Sequence, residues 1–158
     1  MGETVRYFLP VLFAFLGCAG CSVIFNIRGP GILICAFGGA LGWLVYLLSA
    51  PLLQSDISQT LIAAVVISLY GEIMARIRKC PVTAYLLLAI FPLVPGSGVY
   101  YTMEHAINGE TEAFLATFLH TLGISGAIAV GVLLASSAVR MWSHGRNRIH
   151  SSGKEHRP

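Results

Sequence analysis

Polar and charged positions in this chain fall in short clusters, and the uncharged stretches between them are long enough to be measured against a bilayer. A hydrocarbon core of about 30 Å takes about 20 apolar residues of helix. Residues 7–27, 29–55, 80–103 and 113–139 contain no Asp, Glu, Lys or Arg. Residues 57–71 form a fifth and weaker run, which continues through Glu72 to Ala75. The pattern predicts an all-α integral membrane protein with five transmembrane helices. The connections over 26–30, 51–56, 76–81 and 104–112 are too short to hold a soluble domain. Residues 1–142 are therefore expected to form one membrane domain. Residues 143–158 are basic, rich in His, Ser and Gly and without an apolar face, which predicts a disordered cytoplasmic tail.

Composition agrees with this picture. The chain of 158 residues is 56% hydrophobic and 11% charged, where a soluble domain carries roughly a quarter charged residues. The net charge of +3 is a topology signal rather than a mark of nucleic-acid binding, because Lys and Arg sit in loops and not on one soluble face. With five spans taken in order, one set of loops holds Arg28, Arg76, Arg78, Lys79, Arg140, Arg146, Arg148, Lys154 and Arg157, and the opposite set holds Arg6. Positive loops stay in the cytoplasm, which predicts an outside N-terminus and an inside C-terminus. Glu3, Asp56, Glu104, Glu110 and Glu112 then lie outside. The first run, with Cys18 and Cys21 among small residues, loosely suggests a lipoprotein processing site. Its 21 uncharged residues exceed the usual signal core of about 7 to 15, so it is read as a retained span.

Small residues at helix-packing spacing, Gly38 with Gly42, Gly17 with Cys21 and Ala127 with Gly131, predict close helix contacts. Trp43, Tyr46, Tyr100, Tyr101 and Trp142 are candidates for interfacial aromatic belts, with Trp43 and Tyr46 rather deep in their span. Cys18 and Cys21 form a C-x-x-C without the second ligand pair zinc needs, so they read as packing residues, and no metal or other cofactor is expected.

Candidate chemistry concentrates in Phe91-Pro92-Leu93-Val94-Pro95-Gly96-Ser97-Gly98-Val99-Tyr100-Tyr101, within the fourth span. Pro92 and Pro95 remove two backbone donors and free the carbonyls of Leu88 and Phe91, so the fourth helix should break. Pro92 lies about 16 Å of helix beyond Pro81, near the bilayer midplane. Irregular backbone at that depth is tolerated where it is buried in protein or lines a cavity, and in transporters such breaks hold substrate. Pro92, Pro95, Gly96, Ser97, Gly98, Tyr100 and Tyr101 are accordingly expected along a substrate path, with Ser97 able to donate to a carboxylate. The bland alternative is a kink that shapes the bundle. Glu72, the one acid inside a span, has Arg76 one turn away, which suits either proton coupling or a structural ion pair. His120 in the fifth span is a further candidate for proton handling, against a neutral buried histidine. No Gly-x-Ser-x-Gly, zinc or phosphate-loop motif points to an enzyme.

The block Phe91-Pro92-Leu93-Val94-Pro95-Gly96 with Tyr100-Tyr101-Thr102-Met103, preceded by Glu72-Ile73-Met74-Ala75-Arg76 and Lys79-Cys80-Pro81, resembles the C-terminal membrane half of the threonine/serine exporter (ThrE) family. The similarity runs over most of residues 5–142. Some members are single chains of about ten spans; others divide the halves between two proteins, and this chain is similar to their small, YjjB-like subunit. The resemblance implies export of small amino acids such as threonine and serine from the bacterial inner membrane, driven by the proton gradient, with a larger five-span partner subunit. It also admits export of a dicarboxylate such as succinate, since related two-subunit systems are associated with that activity. An accessory protein that only stabilises its partner and a membrane-embedded enzyme are the rival readings.

Overall fold

The computed structural model describes residues 2–79 and 81–152, with the backbone alone for residues 2–7, 84 and 143–152. Every element among the described residues is helical. They are α1 (Gly2–Ile24), α2 (Gly31–Ser49), α3 (Asp56–Arg78), α4 (Val82–Ile90), a 3-10 turn (Phe91–Leu93), α5 (Gly96–Asn108) and α6 (Thr111–Ser152). Three helices are long and apolar enough to cross a membrane: Gly31–Ser49, Asp56–Arg78 and Thr111–Trp142. Tyr85–Leu93 and Gly96–Asn108 make a fourth if the bent pair counts as one span, and Phe8–Ile24 is a shorter apolar helix. Helix α6 continues to Ser152, so part of the tail expected to be irregular is helical backbone. Residues 153–158 of that tail lie outside the described residues.

Turn chemistry separates the helices. Asn26 and Gly29 take left-handed backbone between α1 and α2, a conformation that glycine and asparagine adopt at low cost. Lys79 at φ 54° caps α3 with its amide on the Ala75 carbonyl, and Pro81 then starts the next segment. Gly109 at φ 74° ends α5, two residues before α6 begins.

Packing is organised around α2, which touches α1, α3 and α4, and around α3, which also packs on α6; α5 packs on α6. Glycine makes these approaches possible. A Cβ at Gly38 would lie 2.8 Å from Ala89 Cβ and 3.0 Å from the Tyr70 ring. One at Gly42 would overlap Ile67, and one at Gly39 would overlap the Cys18 sulfur. At Gly131 it would lie 2.8 Å from Ala64 Cβ and 3.1 Å from the Leu61 carbonyl oxygen, so α3 and α6 meet backbone to backbone beside buried Ala127. Two of the three expected small-residue pairs thus mark helix contacts. Gly17 does not, since a Cβ there would meet nothing within 4 Å.

Apart from Ile67, Leu88, Leu93 and Tyr85, the buried positions are small or hydrogen-bonded, and many large apolar side chains face outward. Ala63, Ala64 and Ile67 are fully buried, whereas Phe8, Phe13, Leu48, Ile77, Leu133 and Leu134 are exposed. That inversion of a soluble core suits a lipid surround, where helices associate through close packing rather than by hiding apolar surface from water. Buried hydroxyls are satisfied locally: Ser22 donates to the Cys18 carbonyl at 2.6 Å, and Ser68 to the Ala64 carbonyl at 2.7 Å. Tyr70 reaches the Ile34 carbonyl at 3.0 Å and ties α3 to α2.

Candidate functional site

The two prolines interrupt the fourth apolar stretch as their chemistry requires. Helix α4 ends at Ile90, residues 91–93 tighten into a 3-10 turn, and Val94 is extended before Pro95 introduces α5. The two helical pieces are bent by 54°. The freed carbonyls find new donors. Leu88 oxygen accepts the Cys18 thiol of α1 at 3.2 Å, and Phe91 oxygen accepts the Val94 amide at 3.3 Å. Cys18 therefore does more than fill space, since it supplies the hydrogen bond that Pro92 cannot. Pro92 sits against Gly39 near the middle of α2, with its Cγ 3.3 Å from where a Cβ would be.

Beside the break is a cavity of about 430 Å³. Its wall includes residues 92–98, Trp43 and Tyr46 of α2, Asp56 and Thr60 of α3, and His120 of α6. It runs from the bend toward the end of the bundle where α3 begins. Trp43 and Tyr46 stack with centroids 5.3 Å apart, and the Trp43 Nε1 is buried with no hydrogen-bond partner. His120 Nε2 lies 3.8 Å from Asp56 Oδ2, too far for a hydrogen bond and within ion-pair range. The start of α5 contributes backbone donors. Gly96 N–H turns back to the Val94 carbonyl at 2.7 Å and Val99 N–H goes to Pro95 at 3.1 Å, while the first-turn amides of Ser97 and Gly98 have no intrahelical acceptor by helix geometry. Gly98 lets α5 approach α6, since a Cβ there would lie 2.5 Å from Thr121 Oγ1.

The structure brings together Pro92, Pro95, Gly96, Ser97, Gly98 and His120, which the sequence named for separate reasons. It leaves the other candidates outside this cavity. Tyr100 and Tyr101 pack edge to face with each other and are exposed, one turn further along α5 than the residues that line the cavity. Glu72 and Arg76 pair at 4.0 Å near the opposite end of α3 from Asp56. Sequence reasoning missed Asp56, Thr60, Trp43 and Tyr46 as partners of the break. Asp56 reads as one more loop acid, and 64 residues separate it from His120. The signal for Trp43 and Tyr46 was their depth in the second span, which suits an internal aromatic wall better than an interfacial belt.

A helical bundle with an apolar exterior and a polar cavity beside an interrupted helix has the architecture of membrane transport proteins. The chain belongs to the family described as Threonine/Serine exporter, ThrE, which matches residues 10–138. It is also similar to an uncharacterized protein of Haemophilus influenzae (strain ATCC 51907 / DSM 11121 / KW20 / Rd), 26% identical over 132 residues, covering 78% of this chain and 44% of that one. The chain thus spans less than half the length of this relative. No solved structure matches it.

Proposed function

We propose that the chain is a subunit of a secondary transporter that exports small amino acids such as threonine and serine across the bacterial inner membrane. It crosses the bilayer five times, with the N-terminus outside and the C-terminus inside, and the cavity beside residues 92–98 is part of the substrate path. A larger five-span subunit completes the path, and the proton gradient drives it. The observation that carries this reading is the cavity itself: a broken helix opens a space with an acid, an imidazole, hydroxyls and first-turn amides inside an otherwise apolar bundle. Its size suits a small metabolite.

Family membership supports the substrate class. The loop charges support the orientation. The 23-residue backbone helix of α1 supports a fifth pass. Two facts favour a partner. The matched region covers 44% of the Haemophilus relative, which leaves room there for a second unit. Within this chain, 17% of the apolar window of Thr111–Trp142 is buried, against 33% and 39% for the other two long spans. The test is efflux of threonine, serine and succinate from cells producing this chain with and without the larger subunit, under an imposed proton gradient. Threonine or serine efflux that needs both chains is the expected result, and equal efflux with neither chain present refutes the reading.

A further inference from the structure

We infer that Asp56 binds the ammonium group of a zwitterionic amino acid, and that His120 competes with that substrate for the same carboxylate. The inference rests on the cavity being the substrate path and says what the path selects.

Among the residues that line the cavity, Asp56 is the one acid. With His120 neutral the wall therefore carries a single negative charge. A zwitterion satisfies that charge with its ammonium, whereas a dicarboxylate brings two more negative charges to it, and like charges at this range repel. The complementary donors for an amino-acid carboxylate belong to the same wall. They are the Ser97 hydroxyl and the first-turn amides at the start of α5. A lone helix end or a lone acid would not define a ligand. An acid together with a hydroxyl and backbone donors in one cavity matches the ammonium and carboxylate of an amino acid.

His120 gives the site its second property. At 3.8 Å from Asp56 Oδ2 its Nε2 makes no hydrogen bond, and both side chains are about half exposed, so the carboxylate remains open to another donor. Histidine charges between pH 5 and 8. Asp56 from α3 approaches it, and Tyr46 from α2 and Ser97 with the first-turn amides from α5 line the same cavity. On its own helix the next acid, Glu112, lies about two turns away, and Glu110 is engaged with His105 at 2.6 Å. Once protonated by water of the acidic face, the imidazolium neutralises Asp56 and displaces the ammonium. The proton and the substrate therefore exclude one another, and each must weaken the other's binding by the same factor. An acidic outer face then discharges substrate outward while His120 takes up one proton, which returns to water on the inner face.

The test uses inside-out membrane vesicles from cells producing the full chain with the larger subunit. Uptake of labelled L-threonine and succinate is measured from pH 5.5 to 8 for wild type, Asp56→Asn, Asp56→Glu and His120→Gln at matched membrane abundance. Wild type should prefer threonine, with apparent affinity falling as the pH is lowered. Asp56→Asn should weaken threonine at least tenfold and leave succinate undiminished, Asp56→Glu should recover part of the loss, and His120→Gln should abolish the acid-side fall. Threonine affinity retained in Asp56→Asn, a wild-type pH profile in His120→Gln, or equal loss of threonine and succinate in Asp56→Asn overturns the inference while the transporter reading stands. Wild-type vesicles that take up neither solute overturn both.

Discussion

Gly98→Ala is a small change with a calculable effect. The added Cβ would lie 2.5 Å from Thr121 Oγ1 and 3.4 Å from Thr121 Cβ and Cγ2. Thr121 cannot easily yield, because it is β-branched, largely buried, and its hydroxyl donates to the Thr117 carbonyl at 2.7 Å. Turning the hydroxyl away forfeits a hydrogen bond of about 1 kcal/mol. Keeping it pushes α5 off α6, an overpacking strain of about 1–3 kcal/mol. The cost is therefore about 1–3 kcal/mol, and where the hydroxyl stays the wall of the cavity moves. Unfolding of the purified chain in mild detergent should register the loss, and threonine efflux should fall. Thr121→Ala removes Oγ1 and Cγ2 and leaves only Cβ at 3.4 Å, so the double variant should recover most of the stability lost by Gly98→Ala. Wild-type stability and efflux in the single variant, or no recovery in the double, would refute the argument.

Glu72→Gln should cost less than about 1 kcal/mol, because its 4.0 Å pair with Arg76 involves a half-exposed guanidinium, and threonine efflux should keep its proton dependence. Loss of that dependence in a well-assembled variant would move the coupling site to this end of α3. Cys18→Ala should destabilise by about 1–3 kcal/mol in unfolding measurements, since the Leu88 carbonyl loses the donor that replaces the missing Pro92 amide. Gly131→Val should be the most damaging of these changes, about 3 kcal/mol or loss of membrane abundance, because its Cβ would meet the backbone of Leu61 and Val65 and force α3 and α6 apart.

The legible parts of this protein were those governed by local chemistry. Uncharged length located the helices, and Pro92 and Pro95 located the break, because a missing amide and a ring clash act on the chain within one turn. Gly38, Gly42 and Gly131 announced close contacts through spacing alone. What remained hidden depends on which helix lies beside which. The Asp56 and His120 contact joins the first residue of α3 to the tenth of α6, and no periodicity within either helix encodes it. The rescue of the Leu88 carbonyl by Cys18 is of the same kind, linking residues 70 apart. Tyr100 and Tyr101 were grouped with the break because they follow it in sequence, yet each turn of helix carries the chain about 5.4 Å along its axis, past the residues that line the cavity. Gly96, Ser97 and Gly98 line the cavity and the tyrosine pair does not.

Gly96→Leu tests the central claim most directly. A Cβ at this position meets nothing within 4 Å, so the substitution adds four carbons to the cavity without a clash that would unfold the bundle. The measurement is threonine and serine efflux from cells in which the variant reaches wild-type membrane abundance and wild-type assembly with the larger subunit. If the space beside the broken helix is the substrate path, efflux falls to the level of cells lacking the chain. Efflux at the wild-type rate from a fully assembled Gly96→Leu would show that substrate passes elsewhere and would contradict the account.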